Sequence, residues 1–287
     1  MLPGDRGLRE CLEAAKVHPN YTAPAPEGAG RSVPVGFWFN IGMQSRRVAS
    51  DAFEVRIAED GAVTVMEGSP DIGGSRASMA LMAAETLGVP YEQIKAHVGD
   101  TESTGFCNVT GGSRTTFATG MAVVQACERP IASLMAQPIR LPPNSRRPSL
   151  TRRSPIVRWG YYIAQCKQRA ALTWDLDEEQ VDWVDGEAVP KPGVNADVKP
   201  LSLADIARGA GRTGGPLLGR ASLNAQGAGA SFSCNFTDTV VDTETGKVDV
   251  LSFTAVQDAG RAIHPSYVEG QMQGGAVQGI GWAFNEE

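Results

Sequence analysis

A hairpin, a glycine-containing loop and a helix follow one another early in the chain, and this order strongly limits how the chain can fold. Alternating apolar residues on both sides of the turn at 59–61 are typical of two antiparallel strands. The loop at 68–75 contains Gly73 and Gly74 and precedes an apolar helical pattern at 77–87. The sequence therefore predicts strands that end in a glycine turn directly in front of a helix.

The same order returns in the next segment. Residues 94–98 are strand-like, and the loop at 110–116, Thr-Gly-Gly-Ser-Arg-Thr-Thr, leads into a helix that ends near residue 126. Backbone N–H groups at a helix N-terminus, which glycine leaves unshielded, attract phosphate-like groups, so the two loops could face one ligand. Neither loop has the spacing of a P-loop or of a full dinucleotide fingerprint. Turns and helix caps therefore remain the alternative role of these glycines.

Few side chains in these segments suggest catalysis. Arg114 in the second loop can pair bidentately with a phosphate or a carboxylate, and a solvent-facing arginine is the alternative. Asp71, Asp100 and Asp258 each lie where a strand ends, a position more typical of a turn or helix cap than of a catalyst. The histidines accompany no H-x-x-x-H motif and no serine elbow, so no hydrolase triad is predicted.

The second half of the chain returns to regular patterns after a block of unusual composition. The predicted elements are helices at 163–172 and 203–208, a strand at 180–184, a glycine-rich linker at 209–219, a hairpin at 231–241 and 248–256, and a helix from about 266. Glycine recurs five times at 270–281, although it costs roughly 1 kcal/mol against alanine in a helix interior. Close packing against another backbone, or glutamine amides offered to a ligand, would explain this helix equally well.

Composition excludes several classes of function. The formal net charge of -6 gives no electrostatic reason to bind nucleic acid, and only the block at 131–160, with six arginines, five prolines and no acidic residue, argues for it. The five cysteines form no C-x-x-C pair, so we predict neither a disulfide framework nor a zinc or iron–sulfur site, and we expect a cytoplasmic protein. No apolar run is long enough for a membrane span.

Taken in order, the motifs resemble the molybdopterin-binding region of molybdenum hydroxylase large subunits, the xanthine dehydrogenase/aldehyde oxidase family. No single motif is specific, but their order and spacing together are. The motifs are Val-Met-Glu-Gly-Ser-Pro-Asp-Ile-Gly at 65–73, Ala-Ala-Glu-Thr-Leu-Gly-Val-Pro at 83–90, Gly-Asp-Thr at 99–101, Gly-Gly-Ser-Arg at 111–114, Asp-Thr-Glu-Thr-Gly-Lys-Val at 242–248, Asp-Ala-Gly at 258–260 and the glycine- and glutamine-rich stretch at 268–281.

The resemblance implies an α+β fold with mixed sheets and flanking helices in two subdomains. Residues 1–130 are expected to form a first cofactor-binding subdomain with the glycine-rich loops. Residues 131–160 are expected to be an arginine- and proline-rich insertion without a family counterpart. Residues 161–287 are expected to form a second subdomain that ends in the glycine- and glutamine-rich helix.

The resemblance also implies a ligand, a molybdenum–molybdopterin cofactor, as its cytosine dinucleotide form if the source is bacterial. The chemistry implied is hydroxylation of a small N-heterocycle or aldehyde with oxygen from water, with electrons leaving through iron–sulfur and FAD subunits. No catalytic or metal-ligating residue is predicted. The cofactor contacts implied by the matching motifs are Gly73, Gly74, Gly111, Gly112, Ser113, Arg114 and Gln278.

The chain departs from the family pattern at three further places. Gly73-Gly74-Ser75 stands where the family commonly has Gly-Gln-Gly, and His264 stands where it commonly has asparagine. The Gly-x-Gly-Glu segment with the catalytic glutamate is expected after Glu287. We therefore expect a portion of the enzyme that holds the cofactor, is inactive alone and needs the remaining large-subunit segments. A non-catalytic cofactor-binding or assembly protein on the same scaffold is the alternative.

Overall fold

The computed structural model describes residues 5–39, 51–128, 162–194, 197–223 and 229–286. The arginine- and proline-rich block at 131–160 lies outside these residues, so the prediction made for it is not addressed by the structure. Among the described residues, no helix combines the length and the apolar character needed to cross a membrane.

Helices and strands alternate through the described residues. The helices are α1 (Asp5–Val17), α2 (Pro19–Thr22), α3 (Ser75–Leu87), α4 (Thr115–Glu128), α5 (Tyr162–Trp174), α6 (Leu203–Arg208), α7 (Ala210–Thr213) and α8 (Pro265–Phe284), with 3-10 turns at Tyr91–Gln93 and Glu178–Gln180. The strands are β1 (Gly30–Ser32), β2 (Val35–Phe39), β3 (Asp51–Ile57), β4 (Val63–Glu67), β5 (Ile94–Val98), β6 (Val181–Val184), β7 (Glu187–Pro190), β8 (Leu201–Ser202), β9 (Leu218–Leu223), β10 (Ala230–Val241) and β11 (Val248–Asp258).

The contacts of the chain define two units. The larger unit lies within Gln44–Ala225, and the smaller one combines the described residues of Met1–Met43 with those of Gln226–Glu287. The boundaries of these units differ from the predicted division at 131–160, because each unit contains strands that pair although they are far apart in the sequence. The predicted division into 1–130 and 161–287 as functional subdomains stays a prediction.

The larger unit is built on a mixed sheet in the order β5-β4-β3-β9. The predicted hairpin is confirmed: β3 and β4 are antiparallel, with Phe53 opposite Glu67 and Ile57 opposite Val63. β5 runs parallel to β4, since α3 supplies the long crossover that parallel strands require. β9 pairs antiparallel with the other edge of β3.

Apolar side chains of this sheet and of the helices next to it form the main core. Phe53, Val65 and Met79 are at most 1% exposed, and α3 and α4 approach closely where Gly120 faces the sulfur of Met82. A small antiparallel sheet, β6-β7-β8, joins the same core together with α5 and α6. The indole nitrogen of Trp183 on β6 donates to the carbonyl of Leu87 at 3.0 Å, which ties this sheet to the end of α3.

The smaller unit is a sheet made mainly of the long antiparallel hairpin β10–β11, with β1 and β2 paired along β10. The register shifts between Asp238 and Thr239, which marks a β-bulge. α1 covers one face of the sheet, where Cys11 of the helix packs with Cys234 and Phe236 of β10. The apolar spacing at 8–16 predicts a short amphipathic helix, and α1 confirms it. The predicted long hairpin and terminal helix are also confirmed, as is the α+β class with mixed sheets and flanking helices.

Two predictions of irregular structure were wrong in part. The linker predicted at 209–219 contains α7 and the beginning of β9. The prolines and glycines that follow α1 predict an irregular segment, but this segment contains α2, β1 and β2. Each of these strands is short and pairs with a strand far away in sequence, so its stability comes from the partner strand rather than from its own pattern.

Candidate functional site

The first glycine loop, residues 68–74, connects β4 to α3. Gly73 and Gly74 both adopt left-handed backbone conformations, with φ of 65° and 75°, which glycine reaches without strain. The Asp71 carboxylate accepts the backbone N–H of Arg76 at 3.1 Å and pairs with its guanidinium at 3.2 Å. Asp71 is therefore the predicted cap, and its negative charge already lies at the N-terminus of α3.

The second glycine loop, residues 99–114, connects β5 to α4 and begins with a turn built by Asp100. The Asp100 carboxylate accepts the N–H of Glu102 at 3.0 Å and also accepts the Ser103 hydroxyl. These bonds, first that of Ser103 and then that of Glu102, lower the pKa of Asp100. Asp258 accepts the N–H of Gly260 at 2.8 Å in the same manner. The prediction that these aspartates are turn residues is confirmed.

The end of the second glycine loop has exposed residues and a left-handed backbone. Gly112 and Ser113 have φ of 62° and 60°, so two consecutive residues are left-handed and one of them is not glycine. Such a conformation is uncommon for a residue with a side chain and marks positions that the surrounding structure holds in place. Gly111 and Ser113 are exposed, and a side chain added at Gly111 would meet nothing within 4 Å. Gly111 and Ser113 are therefore accessible to a ligand.

Arg114 does not face the solvent, so that alternative was wrong. It is 6% exposed, and its Nη1 donates to the backbone carbonyls of Asn108 at 3.3 Å and Val109 at 3.5 Å. A buried guanidinium requires such acceptors, because an unpaired buried charge is strongly unfavourable. The Arg114 side chain therefore bonds to the backbone of its own loop.

The two glycine loops touch each other. A Cβ added at Gly68 would lie 2.5 Å from the carbonyl oxygen of Gly105 and 3.3 Å from the backbone nitrogen of Cys107. The hydroxyls of Ser69, from the first loop, and Thr119, on α4, are 3.2 Å apart and fully buried. Sequence reasoning missed these residues, although a glycine directly after a buried strand is a signal of close backbone approach.

Unmet hydrogen-bonding capacity lies at both ends of the 111–114 segment. The hydroxyl oxygens of Thr110 and Thr115 are buried and have no hydrogen-bond partner among the described residues. Thr115 is 8% exposed and is the first residue of α4. A buried hydroxyl without a partner costs about 1–3 kcal/mol, so these groups favour the approach of a ligand rich in donors and acceptors.

Gln278 lies on α8 in the smaller unit and is exposed. No residue of α8 is buried, and additions at Gly270, Gly274 and Gly279 would meet nothing within 4 Å. Among the described residues, close packing is therefore not the reason for these glycines.

One side of α8 and one face of the β10–β11 hairpin enclose an open groove of about 530 Å³. Gln278 does not line this groove, but Gln271 does. Its other polar lining residues include Asn235 and Gln257, on the two strands of the hairpin, and none of its lining residues is charged.

His264 precedes α8 at the position where the family commonly has asparagine. Its side chain makes no capping hydrogen bond, and its ring stacks on Tyr267 with centroids 3.8 Å apart and planes at 8°. The ring Nδ1 is buried without a partner among the described residues. His264 therefore leaves the start of α8 without a side-chain cap and makes an aromatic contact instead.

Thiols and metal ligands are not concentrated anywhere in the described part of the chain. All five cysteines are free thiols, and burial raises the pKa of Cys166 to about 12. The described residues contain no group of three or more histidine, cysteine or acidic side chains placed to hold a metal ion. Among the described residues, the features that could hold a ligand are thus the glycine loops of the larger unit and the groove beside α8 in the smaller unit.

A protein-family model described as the molybdopterin cofactor-binding domain matches residues 15–137 and 162–287. The unmatched segment between them falls almost entirely within the arginine- and proline-rich block, for which no family counterpart is expected. The match includes both glycine loops and the whole of α8.

The curated relatives include molybdenum-binding subunits. The xanthine dehydrogenase molybdenum-binding subunit of Escherichia coli O157:H7 is 28% identical over 233 residues, which are 80% of this chain and 27% of the relative. The aldehyde oxidoreductase molybdenum-binding subunit PaoC of Escherichia coli (strain K12) is 24% identical over 257 residues, 88% of this chain and 29% of the relative. The chain thus spans less than a third of the length of these relatives.

Solved structures share the fold. Quinoline 2-oxidoreductase from Pseudomonas putida 86 superposes with a TM-score of 0.64 at 23% identity, over 88% of this chain and 30% of that one. A Cu,Mo-CO dehydrogenase superposes with a TM-score of 0.65 at 20% identity, over 93% of this chain and 30% of that one. With the family model matched over most of its length, the chain belongs to the molybdopterin cofactor-binding domain family of xanthine dehydrogenase and aldehyde oxidoreductase type molybdenum enzymes.

Proposed function

We propose that this chain holds the molybdopterin cofactor of an oxidoreductase that hydroxylates an N-heterocycle or an aldehyde with oxygen from water. The observation that carries the proposal is the backbone of Gly111, Gly112 and Ser113. Gly111 and Ser113 are exposed, the backbone of Gly112 and Ser113 is left-handed, and the segment lies immediately before α4. Backbone groups at a helix N-terminus suit a phosphate or a heterocycle edge.

The residues present fit such a group. α4 has no acidic residue in its first turn, so no carboxylate of its own helix competes there with an anion. The buried hydroxyls of Thr110 and Thr115 lack partners within the described residues, and these two threonines flank residues 111–114. When bound, the molybdenum cofactor supplies oxygen transfer and electron uptake, whereas this chain supplies binding and orientation.

The first glycine loop contributes less in this proposal. Asp71 already lies at the N-terminus of α3, where it would repel a phosphate, so Gly73 and Gly74 are proposed to contact the uncharged part of the cofactor through their backbone. Gln278 is proposed to offer its exposed amide as both a donor and an acceptor. Arg114 is proposed to support the binding site through its bonds to the backbone of the second glycine loop.

Partners and catalysis are proposed from the resemblance. The sequence contains no Gly-x-Gly-Glu, so we propose that the catalytic glutamate comes from another segment of the large subunit and that this chain is inactive alone. Iron–sulfur and FAD subunits are the proposed electron acceptors, the cytosine dinucleotide form is the proposed cofactor in a bacterial source, and the cytoplasm is the proposed compartment.

The proposal is tested by measuring bound molybdenum and pterin on the chain after co-expression with the other subunits. Gly112→Ala should lower both contents severalfold, because alanine is strained at a φ of 62°. Gly193→Ala is the matched control: its φ is 90°, nothing lies within 4 Å, and it follows β7 outside both glycine loops.

Two outcomes would contradict the proposal or favour its rival. Equal cofactor contents in wild type, Gly112→Ala and Gly193→Ala would refute binding at the second glycine loop. Full cofactor content without hydroxylation of any heterocycle or aldehyde, in the complete assembly, would favour a non-catalytic cofactor-binding or assembly protein.

A further inference from the structure

We infer that Arg114 is a positioning residue that holds the second glycine loop in its ligand-binding conformation, and that it does not contact the ligand itself. The binding part of this inference rests on the proposed function. The positioning part rests on geometry alone. Arg114 is the one charged side chain of the Gly-Gly-Ser-Arg motif, for which the resemblance implied a direct cofactor contact.

The second glycine loop needs contacts that fix its conformation. From residue 99 to residue 114 the chain forms no helix and no strand. Its beginning is fixed by the Asp100 turn, and its middle is fixed where Gly105 contacts Gly68 of the first loop. The segment from Asn108 to the start of α4 also needs restraint, because it forms no helix or strand and irregular segments can take many conformations.

Arg114 supplies that restraint. Its Nη1 reaches back to the carbonyls of Asn108 and Val109, six and five residues earlier in the chain. The bonds close a ring of backbone and side chain around residues 109–113, and within this ring lie Gly112 and Ser113 in left-handed conformations. Hydrogen bonds to a charged donor are stronger than neutral ones, so one side chain can hold the whole turn.

Burial argues against direct ligand contact. Arg114 is 6% exposed, whereas Gly111 and Ser113 on either side of Gly112 are exposed. An arginine that reads a phosphate presents its planar fork to the ligand. Here the guanidinium is buried and bonded to carbonyls of its own loop, whereas Gly111 and Ser113 are the exposed residues that a ligand would meet.

The test is hydrogen–deuterium exchange of the peptide covering residues 105–114 in the cofactor-free chain. Arg114→Met keeps the length and removes the donors, and Arg114→Lys keeps the charge but not the fork. Both are expected to speed exchange in this peptide by about tenfold, with α5 unchanged. Arg76→Met, at an arginine that is 57% exposed in its side chain beside the first loop, is the control and should leave the peptide unchanged.

A rescue measurement separates positioning from general stabilisation. In Arg114→Ala, guanidinium chloride at low millimolar concentration should restore the slow exchange of residues 105–114 and also the pterin content of the co-expressed chain. A ligand-contacting Arg114 would instead give variants with low pterin content and unchanged exchange, and that result would overturn the inference.

The remaining outcomes are also decisive. Faster exchange throughout the larger unit in Arg114→Lys would show that Arg114 has a general structural role, and this result would overturn the inference. Exchange of wild-type residues 105–114 at the rate of an unprotected peptide would show that Arg114 does not hold the loop, and this result would also overturn it. If the wild-type chain carries no pterin, the proposed function fails, but the exchange measurement still decides whether Arg114 positions the loop.

Discussion

Replacing Gly68 by alanine tests whether the two glycine loops are in contact. The added Cβ would lie 2.5 Å from the carbonyl oxygen of Gly105, whereas ordinary van der Waals contact begins near 3.4 Å. The obstructing atom belongs to the backbone and not to the end of a flexible side chain. One of the loops must therefore move by about 0.9 Å to accept the methyl group.

The expected destabilisation follows from two opposing effects. Forcing an extra methyl group into a packed site costs about 1–3 kcal/mol. Gly68 does not have a left-handed backbone, so alanine also gains about 0.4–1 kcal/mol by restricting the unfolded chain. The net loss for Gly68→Ala should be about 1–2 kcal/mol, which lowers the melting temperature by a few degrees in a chain of this size.

Urea unfolding followed by tryptophan fluorescence measures this loss, since Trp174 and Trp183 both pack against the core of the larger unit. Gly111→Ala is the matched control, because it lies in the second glycine loop with open space around it and without a left-handed φ. It should change the unfolding free energy by no more than about 0.5 kcal/mol. A Gly68→Ala variant as stable as Gly111→Ala would refute the contact between the loops.

Three further predictions concern other parts of the chain. Burial raises the pKa of Cys166 to about 12, so at pH 8 only about one Cys166 thiol in ten thousand is ionised. Alkylation followed by mass spectrometry should therefore label the half-buried Cys107 before Cys166. Early labelling of Cys166 would contradict its burial. Burial acts to raise the pKa of Glu54, but ion pairs with two arginines outweigh it and hold the pKa below 4.5. The stability that these ion pairs contribute is present above pH 4.5 and is lost as pH falls through the folded-state pKa of Glu54. Glu54→Gln should therefore make the free energy of unfolding depend less on pH in that range. An unchanged pH dependence would argue against the ion pairs. His264→Asn should stabilise α8 by about 1 kcal/mol in thermal unfolding, because asparagine caps helices; a loss of stability would mean that the ring contact with Tyr267 outweighs the cap.

Much of the fold could be predicted from local patterns. The helices at α3 and α4 and the hairpin β3–β4 follow from apolar periodicity and turn residues, which act over a few residues and are visible in sequence. The positions of Gly73 and Gly112 were predicted as tight turns before helices for the same reason, and both have the left-handed backbone that glycine permits.

Other features depended on partners far away in sequence. β9 was not predicted as a strand, and its first residues fell in the linker predicted at 209–219, because its residues form no regular apolar pattern and only pairing with β3 makes it a strand. The contact of Gly68 with Gly105 could not be predicted either, since it depends on how α3 and α4 pack. Local patterns do not contain this information, because it arises from the packing of whole elements.

Arg114 shows most clearly where the sequence stops being sufficient. By itself the sequence determined that a Gly-Gly-Ser-Arg turn precedes α4 and that the ordered motifs resemble the molybdopterin-binding family. Only the tertiary structure decided that the guanidinium is buried and bonded to Asn108 and Val109, while Gly111 and Ser113 are exposed. A motif specifies which groups are available, but the direction of a long side chain depends on burial and on nearby acceptors, which exist only in the folded chain.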